Sequence, residues 1–168
     1  FDPTLVLSFH NGSDKKKKAG EVDADNVPTK RKNEFSQLNH FEFWRRKLHD
    51  TWTQTPFTTN EKRWNSVSHY LFALPFKDTH PAVYEEFSDD SRSEISKDFE
   101  KAKTSLEKKN GKIGKHYQLS KDMTPIPEMI LESHRKNALR EKFKKDTELG
   151  RLLKATNFAK LERFQRNK

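Results

Sequence analysis

The chain has 168 residues, with 34 Lys and Arg against 25 Asp and Glu, a formal net charge of +9 and no cysteine. That length fits one domain, and the missing thiols exclude a disulfide framework, a thiolate metal centre and a cysteine nucleophile. An apolar share of 31% beside a charged share of 35% leaves a lean core, which 13 Phe and 3 Trp are large enough to close.

Leu5–Phe9 is a short β-prone run, ended by the turn dipeptide Asn11-Gly12. Residues 11–34 read as an exposed loop carrying both charges, with Lys15, Lys16, Lys17 and Lys18 in a row and nothing apolar to pin them. From Gln37, Phe41, Trp44, Leu48 and Trp52 fall on one helical stripe that Pro56 breaks. Phe57–Thr59 and Lys62–Trp64 flank Asn60-Glu61, which predicts a β-hairpin. Ser66 is placed to cap a helix from Val67 to about Phe76, and Pro81 opens another with Val83, Tyr84 and Phe87 inward. Ile95, Phe99, Ala102 and Leu106 predict one amphipathic helix, ended by a left-handed glycine at Asn110-Gly111. A basic loop follows over 112–122. Thr124-Pro125 then starts a helix through Ala138, Leu139 and Phe143, and Asp146 caps one bearing Leu149, Leu152 and Leu153. Lys160–Phe164 fits a helix or a last strand. The fold class expected is α+β, predominantly helical, with a small hairpin or sheet.

The familiar chemical motifs are missing. The seven His include no i, i+4 pair on a predicted helix and no HExxH, so no metal site is expected. No Gly-rich phosphate loop and no GxSxG elbow occur. The acids Glu85-Glu86, Asp89-Asp90 and Asp98/Glu100 are sequence neighbours, and neighbours do not converge on one reaction centre, so they read as surface acids. A net positive field favours anionic partners without choosing among them. Basic clusters at Lys15–Lys18, Lys108–Lys115 (with Lys112 and Lys115), the Arg135–Lys145 helix (with Arg135 and Arg140) and Arg163–Lys168 read first as solvated faces. Nucleic-acid or anionic-surface contacts are the other reading. No signal peptide is visible. The chain opens on Phe1 rather than Met, which leads us to expect processing or trimming, with loss of any upstream targeting segment.

The order of segments resembles a family. Pro56-Phe57-Thr58-Thr59-Asn60-Glu61-Lys62-Arg63-Trp64-Asn65-Ser66-Val67-Ser68-His69-Tyr70 resembles the YbiA-like family, also called NADAR for its association with NAD and ADP-ribose. Members there show a Pro-Phe or Pro-Ile strand, a hairpin with Gly-Lys-x-Trp, and Ser/Val-Glu-His-Tyr opening a helix. Upstream, Trp44–Trp52 is similar to the family's Leu-Ser-Asn-Phe segment, and Phe9-His10 stands where some members have Phe-Tyr-Ser. Downstream, Asn137–Phe143, Glu148-Leu149 and Leu152–Leu161 are similar to its most regular helical tract. Phe87-Ser88 with Ser91, Ser96-Lys97-Asp98 and Ala102-Lys103 resemble versions in large DNA viruses. The likeness runs from about residue 5 to 166 in order.

The resemblance implies a single YbiA-like domain over 1–168, with a pocket for an ADP-ribose-like ligand and N-glycosidic cleavage through an oxocarbenium-like state that needs a carboxylate. It implies pocket positions at Phe9, His10, Asp50, Trp52, Trp64, Ser68 and His69, with the family's last polar groups beyond Lys168 or absent. At those positions the chain departs from the pattern. The family Glu is Ser68, the following Phe-Gln-x-Gln-Lys reads Leu71-Phe72-Ala73-Leu74-Pro75, and the Asn of Leu-Ser-Asn is Asp50. His69 lines the pocket or packs a helix, and Trp52 and Trp64 stack a base or fill the core. The expectation is therefore a non-catalytic domain without a cofactor, serving as a structural or binding component of a larger assembly, a virion or a nucleoprotein particle such as a ribosome. Its partners are other proteins of that assembly, and nucleic acid through the basic loops, with no membrane insertion. The alternative is an active N-glycosidase or ADP-ribosyl hydrolase in which Asp50 replaces the missing Glu.

Overall fold

A computed structural model describes residues 1–12 and 17–164. In chain order the elements are β1 (Asp2–Phe9), a 3-10 helix (Thr29–His40), α1 (Trp44–Lys47), β2 (Phe57–Thr59) and β3 (Lys62–Trp64). Then come α2 (Val67–Ala73), α3 (Pro81–Phe87), α4 (Glu94–Lys97), α5 (Phe99–Ser105), β4 (Lys108–Lys109) and β5 (Lys112–Ile113). The last are α6 (Tyr117–Asp122), α7 (Glu128–Lys142), α8 (Glu148–Ala155) and β6 (Ala159–Arg163). The fold is mixed α+β, about 48% helix, with its strands in short two-stranded pairs. The chain divides into two compact units, one of residues 1–52 with 143–168 and one of residues 53–142.

In the first unit β1 and β6 pair in parallel, from Val6 opposite Lys160 to Phe9 opposite Arg163. Lys160–Phe164 is thus a strand through Arg163. Leu5 and Leu7 enter a core with Phe35, Leu38, Trp44, Leu48, Leu149 and Leu152. The stripe from Phe41 to Trp52 does not form one helix. Phe43 takes a left-handed conformation (φ 55°) and restarts the chain into the single turn α1. Thr147, not Asp146, caps α8, accepting from Gly150 N, while Asp146 sits at φ 71°.

The exposed loop expected over 11–34 needs correction from Ala19 onward. Ala19 is buried and Val27 packs against the same core. The Asp25 and Arg45 side chains are 0% and 1% exposed and face each other as a two-pronged pair, at 2.8 and 2.6 Å. The Asp25 carboxylate also accepts from Ser8 N, Ser8 Oγ and Gly20 N, and Arg45 donates to the carbonyls of Ser8 and Lys18. A charged pair removed from water needs further hydrogen bonds to offset its lost solvation. Here those bonds tie β1, the 18–25 segment and α1 together, although Arg45 Nε stays buried without a hydrogen-bond partner. Lys15 and Lys16 lie outside the described residues.

The second unit begins with the predicted hairpin. Phe57 pairs with Trp64, and the two turn residues Asn60 and Glu61 both have positive φ (51° and 62°). That is the primed turn whose twist matches the strands it joins. Ser66 caps α2 by accepting from His69 N, and Pro75 closes it through a 3-10 turn over Leu74–Phe76. The single helix expected over 95–106 is two, because the Asp98 side chain accepts from Lys101 N and restarts the chain as α5. Asn110-Gly111 is not a helix end but the tip of the β4–β5 hairpin, with φ 52° and 75°. The basic loop over 112–122 therefore holds β5 and α6. Thr124-Pro125 does not open α7, which starts at Glu128 after Pro127. The core gathers Trp64, Val67, Tyr70, Phe76, Tyr84, Phe87, Ala102 and Ala138.

Candidate functional site

The segment from Pro56 to Phe76 lies wholly in the second unit, so its geometry can be built from its own residues. Trp64 ends β3 fully buried, its ring 5.2 Å from Tyr70 and 5.2 Å from Tyr84, with its indole N–H donating to the Thr59 carbonyl. It fills the core and presents no face for a base. Ser68 stands half-buried on α2, one residue before His69.

His69 is fully buried at the start of α2. Its Nε2 lies 2.8 Å from the carbonyl oxygen of Ile95, which can only accept, so Nε2 carries the proton. Its Nδ1 lies 2.6 Å from Ser66 Oγ. Burial pushes the imidazole below its ordinary value, against the opposing pull of the Ile95 carbonyl. A neutral ring leaves Nδ1 as an acceptor, and the Ser66 hydroxyl donates to it while receiving the His69 backbone N–H. Both nitrogens thus join the cap of α2 to the α4 region. A histidine held this way has neither a lone pair nor a proton free for a substrate.

The positions that follow His69 are apolar in fact as well as in sequence. Phe72 stacks on Phe99 (6.0 Å) and meets Phe87 edge-on, and Leu74 and Phe76 are buried in the same core. Phe72, Leu74 and Phe76 are thus committed to hydrophobic packing.

A polar cluster that the sequence did not reveal lies at the hairpin turn. Asn60 Nδ2 donates to the Tyr70 hydroxyl at 3.0 Å, and that hydroxyl lies 3.0 Å from His134 Nδ1 on α7. Burial raises the Tyr70 phenol to about 12, so it remains protonated. The Tyr84 hydroxyl is buried without a hydrogen-bond partner. Of these groups His134 alone carries no sequence signal, since Asn60 stands in a turn-type pair, Tyr70 in the His-Tyr segment and Tyr84 among the inward residues of its helix.

The acids are engaged structurally. Asp89 pairs with Arg63 and accepts from Asn65, Asp90 accepts from Arg63 N, and Glu85 pairs with Lys62. Glu86 binds both Lys115 (2.7 Å) and the buried His116 (2.6 Å). Burial works to raise the Glu86 carboxyl, but those two bonds outweigh it and hold the group below its ordinary value.

The remaining implied pocket positions belong to the first unit. Phe9, at the end of β1, meets His49 edge-on at 6.1 Å. His10 lies against Phe164 and helps line a recess of about 190 Å³ with Asn11 and Gly12. Asp50 is half-buried after α1, and the Trp52 ring has Lys47 Nζ 5.9 Å from its centre. Lys17 and Lys18 are exposed and border an open cleft of about 350 Å³ with Leu38, Phe41, Glu42 and Trp44.

Among the other basic candidates, Lys112 is exposed on β5, while Lys115 is engaged by Glu86. Arg135 pairs with Glu132, and Arg140 donates to Asn137 one turn earlier on α7. The Arg163–Lys168 cluster is described only to Phe164. Among the described residues no group of three or more His, Asp or Glu could hold a metal ion. No helix among them is long and apolar enough to cross a membrane. No family model, no curated protein and no solved structure matches the chain.

Proposed function

We propose that this chain is a non-catalytic domain of YbiA-like (NADAR) descent that works as a binding or structural component of a larger anionic assembly, a virion or a nucleoprotein particle. The observation that carries the reading is His69, whose two ring nitrogens are both engaged in holding α2. The residues around it support the same reading. Ser68 brings no carboxylate to stabilise an oxocarbenium-like state, and Phe72 and Leu74 are packed where ligand-handling groups would stand. The net charge of +9 draws the chain toward an anionic surface.

The test is turnover. Incubating the full chain with an ADP-ribosylated nucleobase, with mass spectrometric detection of freed ADP-ribose, is expected to give no product above the uncatalysed background. Calorimetric titration with ADP-ribose is expected to give no heat of binding. Product formation that Asp50→Asn abolishes would overturn the reading in favour of an active N-glycosidase.

A further inference from the structure

The hairpin β4–β5 breaks an elementary rule of strand pairing. Lys109 stands directly opposite Lys112, which puts both on one face with their Cβ atoms about 5 Å apart, and like charges so placed repel. Lys108, one step back on the same strand, is also exposed. Among the described residues no carboxylate pairs with Lys108, Lys109 or Lys112. At the base of the same hairpin the opposite holds, since Lys115 and His116 share Glu86.

That base is firmly seated. Gly114 N donates to the Glu107 carbonyl at 2.8 Å and His116 N to the Ser105 carbonyl at 2.7 Å. A Cβ at Gly114 would fall 2.1 Å from the Thr104 carbonyl oxygen, so backbone passes backbone with no room for a side chain. The tip, by contrast, stands clear, with nothing within 4 Å of a Cβ at Gly111. A rigid mount therefore holds three unneutralised cations out in solvent.

We propose that the β4–β5 hairpin is a contact for the phosphate backbone of nucleic acid, with Lys109 and Lys112 facing phosphates from one side of the finger and Lys108, which shares the other face with Ile113, reaching a neighbouring phosphate. This deepens the reading of the chain as a binding component and rests on it. The hairpin has no aromatic side chain on which a base could stack, so the contact reads charge and not sequence. Its tip is Asn110-Gly111, and its one apolar side chain, Ile113, lies opposite Lys108 and away from the Lys109–Lys112 face. A finger that enters a lipid surface needs an apolar tip, which favours nucleic acid over a membrane.

The experiment is fluorescence anisotropy of a labelled mixed-sequence DNA duplex of about 20 base pairs, titrated with the full chain between about 50 and 200 mM salt. The expected result is that Lys108→Gln/Lys109→Gln/Lys112→Gln weakens binding and lowers the slope of log K against log salt by about 2–3. A control that removes the same charge at exposed helix and loop positions, Lys77→Gln/Lys136→Gln/Lys154→Gln, is expected to leave the slope within about 1 of the parent. The hairpin variant should also unfold at the same or a higher urea concentration, because it loses a repulsion and no partner. Equal losses in both variants would reduce the effect to diffuse charge and overturn the proposal. So would absence of binding by the parent chain, or tighter binding to phosphatidylserine vesicles through the same lysines. None of these results touches the turnover assay, so the hairpin can fail while the non-catalytic reading stands.

Discussion

His69 has its proton on Nε2 and its lone pair on Nδ1 committed to neighbours, and it has to remain neutral to keep them. Its folded value lies below the 6.5 of a free imidazole, so the unfolded chain takes up the proton first as the solution is acidified. Stability is then full above about pH 6.5 and falls as the pH drops below it. Urea midpoints at pH 7.5 and 5.5 are expected to show that fall, and His69→Gln to flatten it. Ser66→Ala removes the cap and the partner of Nδ1 together, an expected loss of about 1–3 kcal/mol in the same assay. Asp25 is a harsher case. Asp25→Ala leaves the Arg45 guanidinium buried without its counter-ion and is expected to cost about 3–5 kcal/mol, whereas adding Arg45→Met to that change should restore much of the loss.

Among the elements, the β2–β3 hairpin invites an improvement. Glu61 sits at φ 62°, a conformation that strains any side chain with a Cβ, beside an Asn that tolerates it. Glu61→Gly creates the preferred pair for this turn and is expected to raise stability by up to about 1 kcal/mol, measured by thermal or urea unfolding. This hairpin, the Ser66 cap and the Pro81 start were legible because each is a local matter of a few adjacent residues. The elements that were misread had two local answers. Asp98 lies inside a good helical stripe and breaks it only because its carboxylate finds Lys101 N. Asn110-Gly111 can end a helix or turn a hairpin, and the choice is made by Gly114 and His116 bonding back to the 105–107 backbone. The Asp25–Arg45 network spans 20 residues and follows no period, so nothing in the sequence announced it. The candidate site divides the same way. Trp64 and His69 were picked out by position, but the partners that define their roles, Tyr84 and the Ile95 carbonyl, come from other elements.

For the whole molecule, the two units differ in how the chain supplies them. Residues 53–142 are consecutive, whereas the first unit draws on 1–52 and again on 143–168. Its two strands come from opposite ends of the described chain, Asp2–Phe9 beside Ala159–Arg163. That pairing sets an order of events during synthesis. The second unit has every residue of its core once Lys142 has left the ribosome, while β1, bridged at Val6 to Asn26, waits for its strand partner until residues 159–163 have followed. Nascent chains tethered so that Lys142 has just emerged from the ribosome are thus expected to hold a protease-resistant 53–142 fragment with a cleavable N-terminal segment. Lengthening the tether until Phe164 has also emerged should bring that segment under protection.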